Sequence, residues 1–108
     1  MVDGGSVILN ASSTASTGTP AFSVYSASKA AVQSFARTWI LDLRDRGIRV
    51  NAVSPGATWT PGLSALGRSE EEKAKIKAGL LAATPLGRLG DPDETAKAIT
   101  FLASDDSS

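Results

Sequence analysis

Two short apolar runs, separated by a long stretch of helical periodicity, organise the first half of the chain. Ser6-Val7-Ile8-Leu9-Asn10 follows a Gly pair and precedes a segment rich in Ser, Thr, Gly and Pro, which predicts a buried strand over 6–10 and then a loop. From about 22 to 46 the apolar positions recur every four residues, at Ala27, Ala31, Phe35 and Trp39. Val24, Val32, Ile40 and Leu43 widen that face, and the pattern predicts one long helix. Arg44 and Arg46 fall in its last turn, and Gly47 sits where a helix-terminating glycine belongs. Ile48-Arg49-Val50-Asn51-Ala52-Val53 predicts a second strand over 48–53. Ser54-Pro55-Gly56 ends it, because Pro removes a ladder donor and Gly permits a turn. Strand, helix and strand in that order predict a right-handed βαβ crossover with parallel strands.

The second half reads as helices with clear start signals. Ser69-Glu70-Glu71-Glu72 carries a capping-box pattern with acids in the first turn, so a helix is expected from there to about Ala83. Asp91-Pro92-Asp93-Glu94 repeats the logic, with Asp as cap, Pro at the first helical position and Glu three after the cap. The last helix is expected to reach about Ala103, and the tail 104–108 to fray. The expected fold class is α/β: parallel strands with a βαβ crossover and C-terminal helices. Two parallel strands alone cannot bury both faces of a sheet, so further cover is expected from outside them.

With 108 residues, 42% of them apolar, the chain is long enough for one small unit and too short for two. Eleven basic residues balance eleven acidic ones with the signs interspersed, which favours neither nucleic acid nor an anionic membrane as partner. The absence of cysteine and histidine excludes a disulfide, a thiolate nucleophile, a Ser-His-Asp triad and a zinc site of the usual ligands, so no metal site is expected. The first residues, Met1-Val2-Asp3-Gly4-Gly5, lack a positive start and an apolar stretch, and no run approaches a membrane span. A cytoplasmic protein is the expectation.

The sharpest chemical feature is Tyr25-Ser26-Ala27-Ser28-Lys29 at the start of the long helix. A spacing of four puts phenol and ammonium on one face, and a nearby cation favours phenolate, suiting the phenol to general acid/base work. Alone the pair is a weak signal. Ser12 and Ser13 read by themselves as a polar loop, and Pro55-Gly56 as a turn. Yet Ser12, Pro55 and Gly56 all follow predicted strands directly, at the carboxyl ends where open α/β sheets place ligands.

The ordered set is more specific than any member. Asn10-Ala11-Ser12, Tyr25-Ser26-Ala27-Ser28-Lys29, Arg49-Val50-Asn51-Ala52-Val53-Ser54-Pro55-Gly56 and Leu86-Gly87-Arg88-Leu89-Gly90 with Pro92 and Glu94 resemble the short-chain dehydrogenase/reductase family nearly end to end. The resemblance includes a Ser thirteen positions before the Tyr. It implies a partial Rossmann-like fold and hydride transfer between a nicotinamide cofactor, NAD or NADP, and a small alcohol or ketone. Tyr25 would be the acid/base, Lys29 would tune it and hold the nicotinamide ribose, and Ser12 would hydrogen-bond the substrate oxygen, with Ser13 as the alternative. By the same resemblance Tyr25, Lys29, Pro55, Gly56, Thr58 and Thr60 would contact the cofactor. Thr58 stands where an aliphatic residue is usual, a change of small consequence because the family uses that residue's backbone. Trp59, Leu63 and Leu66 would lie in a mobile segment over the substrate, and an ordinary core role suits them equally well. The small residues Ala27, Ala30, Ala31, Ser34 and Ala36 on the helix over 22–46 would let another helix approach. The resemblance implies a homo-oligomer through that helix, with Phe35 or Trp39 near the interface.

No Gly-rich turn between a strand and a helix occurs, and the family's Thr-Gly-x-x-x-Gly-x-Gly and Asn-Asn-Ala-Gly segments are absent, as is the Asn of its proton relay. Residues 1–108 are therefore expected to form the C-terminal, catalytic half of such a domain without its dinucleotide-binding half and without the family's last strand. This is a truncated form expected to bind cofactor weakly and to be weakly active or inactive alone. The competing expectation is a non-catalytic fragment or self-associating scaffold that keeps the motifs by descent.

Overall fold

The computed structural model describes residues 1–108. In chain order the elements are strand β1 (Ser6–Asn10), helix α1 (Ser23–Leu43), strand β2 (Arg49–Val53), a short helix α2 (Pro61–Ser64), helix α3 (Glu70–Ala82) and helix α4 (Pro92–Ala103). Single 3-10 turns occupy Ser13–Ala15, Arg44–Arg46 and Asp105–Ser107. No helix is long and apolar enough to cross a membrane. Where length argued for one unit, the chain divides into two compact ones: residues 1–56 with 97–108, and residues 57–96.

In the first unit β1 and β2 form a two-stranded parallel sheet, with Ser6 opposite Arg49 and Asn10 opposite Val53. The connection between them contains α1 and supplies the long crossover that a parallel pair requires. Gly47 closes the crossover at φ 61°, a left-handed conformation that glycine adopts without a Cβ penalty, and its N–H donates to the Arg44 carbonyl.

The face of α1 that packs on the sheet is only in part the one its apolar periodicity marks. Phe22, Ser26, Lys29, Ala30, Gln33 and Ala36 are half-buried together with Val32 and Leu43 of the predicted face, while its centre, Ala27, Ala31, Phe35 and Trp39, is exposed. Small side chains on the inner face let the helix lie close to the strands, and the bulky stripe is left outward. Phe35 and Trp39 stack on each other there, ring centroids 5.3 Å apart and nearly coplanar. The buried apolar set of the whole chain is only Ala11, Ile48 and Val50, consistent with a two-stranded sheet that lacks cover.

The tail does not fray as expected. The Arg49 guanidinium donates to the carbonyls of Leu102 (2.9 Å), Ser104 (2.9 Å) and Ser107 (3.2 Å) and to Ser107 Oγ (2.8 Å), and Ser6 Oγ donates to Leu102 O. A cation on the orphan carbonyls at a helix C-terminus satisfies them and complements the dipole, which holds the 3-10 turn over Asp105–Ser107 in place.

In the second unit both predicted start signals operate. Ser69 Oγ accepts from the Glu72 amide at 3.1 Å, and Glu72 reaches back to the Arg68 amide. Asp91 Oδ1 accepts from the Asp93 amide, and Glu94 accepts both from the Asp91 amide and from both terminal nitrogens of Arg88, at 2.8 and 2.6 Å. The hydrogen bond with Glu94, and then its charge, raise the Arg88 pKa. Helix α2 was not anticipated, although Thr60-Pro61 repeats the cap-then-Pro signal of Asp91-Pro92. Thr60 Oγ1 accepts from the Leu63 amide at 3.2 Å.

Candidate functional site

The site residues of the first unit gather at the carboxyl ends of β1 and β2. Beyond Asn10 the extensions of the two strands stay together for several residues: the Ala11 amide donates to Val53 O at 2.8 Å and the Ser13 amide to Pro55 O at 3.0 Å. This continuation of the ladder brings the Ser12 segment alongside Pro55.

Ser12 is 8% exposed, the one buried polar residue of the chain. It caps the 3-10 turn Ser13–Ala15, where its Oγ accepts from the Thr14 amide at 3.3 Å and from Thr14 Oγ1 at 2.9 Å. A hydroxyl whose lone pairs are taken by two donors keeps its own hydrogen for an incoming acceptor, such as a carbonyl oxygen. Thr14 thus orients Ser12, a contribution that reading the loop as merely polar misses. Ser13 is exposed, and its carbonyl accepts from Thr17 Oγ1.

Tyr25 and Lys29 lie one turn apart at the start of α1. The Lys29 ammonium is 5.7 Å from the centre of the Tyr25 ring and donates to the Asn10 carbonyl at 2.9 Å. That bond ties the helix start to the exit of β1, two residues before Ser12. Phe22 packs edge-on against the Tyr25 ring, centroids 5.7 Å apart, and fixes one side of it, while 44% of Tyr25 stays exposed. The helix enters through Ala21, which at φ 65° is the one non-glycine residue in the left-handed region. The arrangement presents a proton donor beside a cation at an open rim, with a buried hydroxyl on the adjoining loop.

A nicotinamide dinucleotide fits what these residues offer. The ammonium of Lys29 and the phenol of Tyr25 suit ribose hydroxyls, and the space at Gly56 is open, since a Cβ added there would meet nothing within 4 Å.

Thr58 and Thr60 belong to the second unit. Thr58 forms a single parallel bridge with Gly90, flanked by Gly90 N donating to Ala57 O and Trp59 N donating to Gly90 O. Thr60 caps α2. Trp59 is half-buried with the Lys77 ammonium 5.4 Å above its ring, and Leu63 is half-buried, whereas Leu66 is 57% exposed and is not core in this chain.

Comparison with known proteins agrees with this frame. The family described as enoyl-(acyl carrier protein) reductase matches over residues 1–108. A solved short chain dehydrogenase/reductase family protein superposes with a TM-score of 0.79 and 38% identity, over 94% of this chain and 39% of that one. Among curated proteins, an oxidoreductase of Sarocladium schorii is 47% identical over 106 residues, covering 97% of this chain and 40% of its own. The 3-oxoacyl-[acyl-carrier-protein] reductase FabG of Thermotoga maritima is 45% identical over 91 residues, 84% of this chain and 35% of its own. A 3alpha-hydroxysteroid dehydrogenase of Mediterraneibacter gnavus is 47% identical over 103 residues, 94% of this chain and 39% of its own. The chain belongs to the short-chain dehydrogenase/reductase family, and its α/β fold is part of that family's Rossmann-like fold. Members generally use a nicotinamide dinucleotide. The chain spans about two fifths of the length of the curated relatives it matches.

Proposed function

We propose that residues 1–108 form the catalytic half of a nicotinamide-dependent short-chain dehydrogenase/reductase, acting on a small alcohol or ketone. Tyr25 donates a proton to the carbonyl oxygen in reduction and removes one from the hydroxyl in oxidation. Lys29 stabilises the phenolate that reduction leaves and binds the ribose of NAD or NADP. Ser12 donates its uncommitted hydrogen to the substrate oxygen as negative charge builds there. The nicotinamide, when bound, supplies or accepts the hydride. Pro55 and Gly56 are the further residues of the first unit proposed to hold it. The phenolate regains its proton from water, which reaches the exposed ring.

The observation that carries this reading is the double engagement of Lys29, at 2.9 Å from Asn10 O and 5.7 Å from the Tyr25 ring. It ties the phenol's helix to the strand end from which Ser12 follows. The test is oxidation of NADH or NADPH by a panel of small ketones, followed by loss of reduced-nicotinamide absorbance. The parent is expected to turn over slowly at most, and Tyr25→Phe should lose at least about a hundredfold of whatever rate it shows, the low end for a positioned acid/base. Equal rates would overturn the assignment.

A second reading, a self-associating non-catalytic chain, is favoured by the sparse core and the exposed Val24, Phe35, Trp39, Ile40 and Leu41 on α1. Sedimentation separates the two: an inactive dimer or larger assembly supports the scaffold, and a turning-over species of any size supports the enzyme.

A further inference from the structure

We infer that Gln33 and Ser54 are positioning residues: together they clamp the Ser54-Pro55-Gly56 loop to α1 and so set its distance from Lys29. Gln33 lies one turn beyond Lys29 on the same face of α1, and its Nε2 donates to Ser54 Oγ at 2.9 Å. Lys29 and Gln33 are thus two successive rungs from one helix face. The first grips the exit of β1 through the Asn10 carbonyl, the second the exit of β2 through the Ser54 hydroxyl. The two exits are themselves joined, Ala11 N to Val53 O and Ser13 N to Pro55 O.

The bonds therefore close a ring, from α1 through Lys29 to Asn10, across the extended ladder to Val53 and Ser54, and back through Gln33 to α1. Pro55-Gly56 follows Ser54 directly; Pro contributes no ladder donor, and its carbonyl carries the ladder on by accepting from the Ser13 amide at 3.0 Å. A long amide is the residue type the clamp requires: it spans from the helix to the loop, bonds a neutral hydroxyl, and adds no charge next to Lys29.

The inference rests on the proposed nicotinamide site, so its test reads the clamp and the cofactor separately. Amide hydrogen exchange is measured on the whole chain for Gln33→Ala, Ser54→Ala, the double variant and Gln33→Glu, whose carboxylate can accept from the Ser54 hydroxyl. NADH is titrated in parallel by its fluorescence. One neutral hydrogen bond supports a roughly two- to ten-fold rise in exchange at Ser13, whose amide donates to the Pro55 carbonyl of the clamped loop. Either single variant should give that rise with the amides of β1 and β2 unchanged, the double variant should add nothing, and Gln33→Glu should restore protection. NADH affinity should fall in the same rank order.

Three results overturn the inference: a rise spread equally over the strand amides, effects of the two single variants that add, or altered exchange with unaltered NADH affinity. If the parent binds no NADH, the nicotinamide reading fails by itself and the exchange pattern alone decides whether the clamp exists.

Discussion

The Lys29 ammonium donates to the Asn10 carbonyl at 2.9 Å, so the helix that carries Tyr25 is fastened to the end of the strand that leads into Ser12. A lysine four residues after a tyrosine need not do this. Here the side chain reaches back across the helix–sheet gap because the inner face of α1, at Ser26, Ala30 and Ala36, is small enough for close approach.

Lys29→Met should separate binding from folding. The Asn10 carbonyl is exposed and returns to water, so the loss of stability should stay near that of one surface hydrogen bond, about 1 kcal/mol. NADH affinity should fall by roughly tenfold, the size of one charge-assisted hydrogen bond. Thermal melts and a fluorescence titration check both halves.

Ile48→Ala should be the more damaging change to the fold. Ile48 is 3% exposed and is one of three buried apolar residues, and truncating a buried Ile costs about 2–5 kcal/mol. With so small a core, urea unfolding of this variant should show little or no native baseline at room temperature.

The Arg88–Glu94 pair leads to a pH prediction. The Glu94 hydrogen bond, and then its charge, raise the folded-state pKa of Arg88. A group with a raised folded pKa gives its full stabilisation below its unfolded value and loses it only as pH climbs through the folded one, at strongly alkaline pH. Across about pH 7 to 10, below the guanidinium range, the melting difference between the parent and Arg88→Met should stay constant. A difference that shrinks over that interval would contradict the assignment.

How much of this could be read in advance depended on whether the cause was local. Both strands, the start of α1 and the caps at Ser69 and Asp91 follow from neighbouring residues and appear within a residue or two of the positions their patterns indicate, while α1 ends at Leu43, three residues short of 46, and passes into the 3-10 turn Arg44–Arg46. The side of α1 that meets the sheet was only partly legible, because most of its inner positions, including Lys29 and Gln33, are small or polar. Periodicity centred on the stripe Ala27, Ala31, Phe35 and Trp39, which is exposed. The ordered tail was hidden for another reason: it depends on Arg49, more than fifty residues away, whose guanidinium collects the last carbonyls of the chain. In the site, Ser12, Tyr25 and Lys29 stood out as a spaced set, whereas the orienting Thr14, the Asn10 carbonyl, Gln33 and Ser54 have no sequence signature. Their roles come from which strand ends the crossover brings together.

The most direct test of the central claim is backbone chemical-shift mapping of the chain with NADH. Shifts should concentrate on Asn10 to Ser13, Tyr25 to Lys29, and Ser54 and Gly56, all at the carboxyl ends of the two strands. Shifts concentrated instead around Gly4 and Gly47, at the amino ends, would contradict a nicotinamide site built by Tyr25, Lys29 and Ser12.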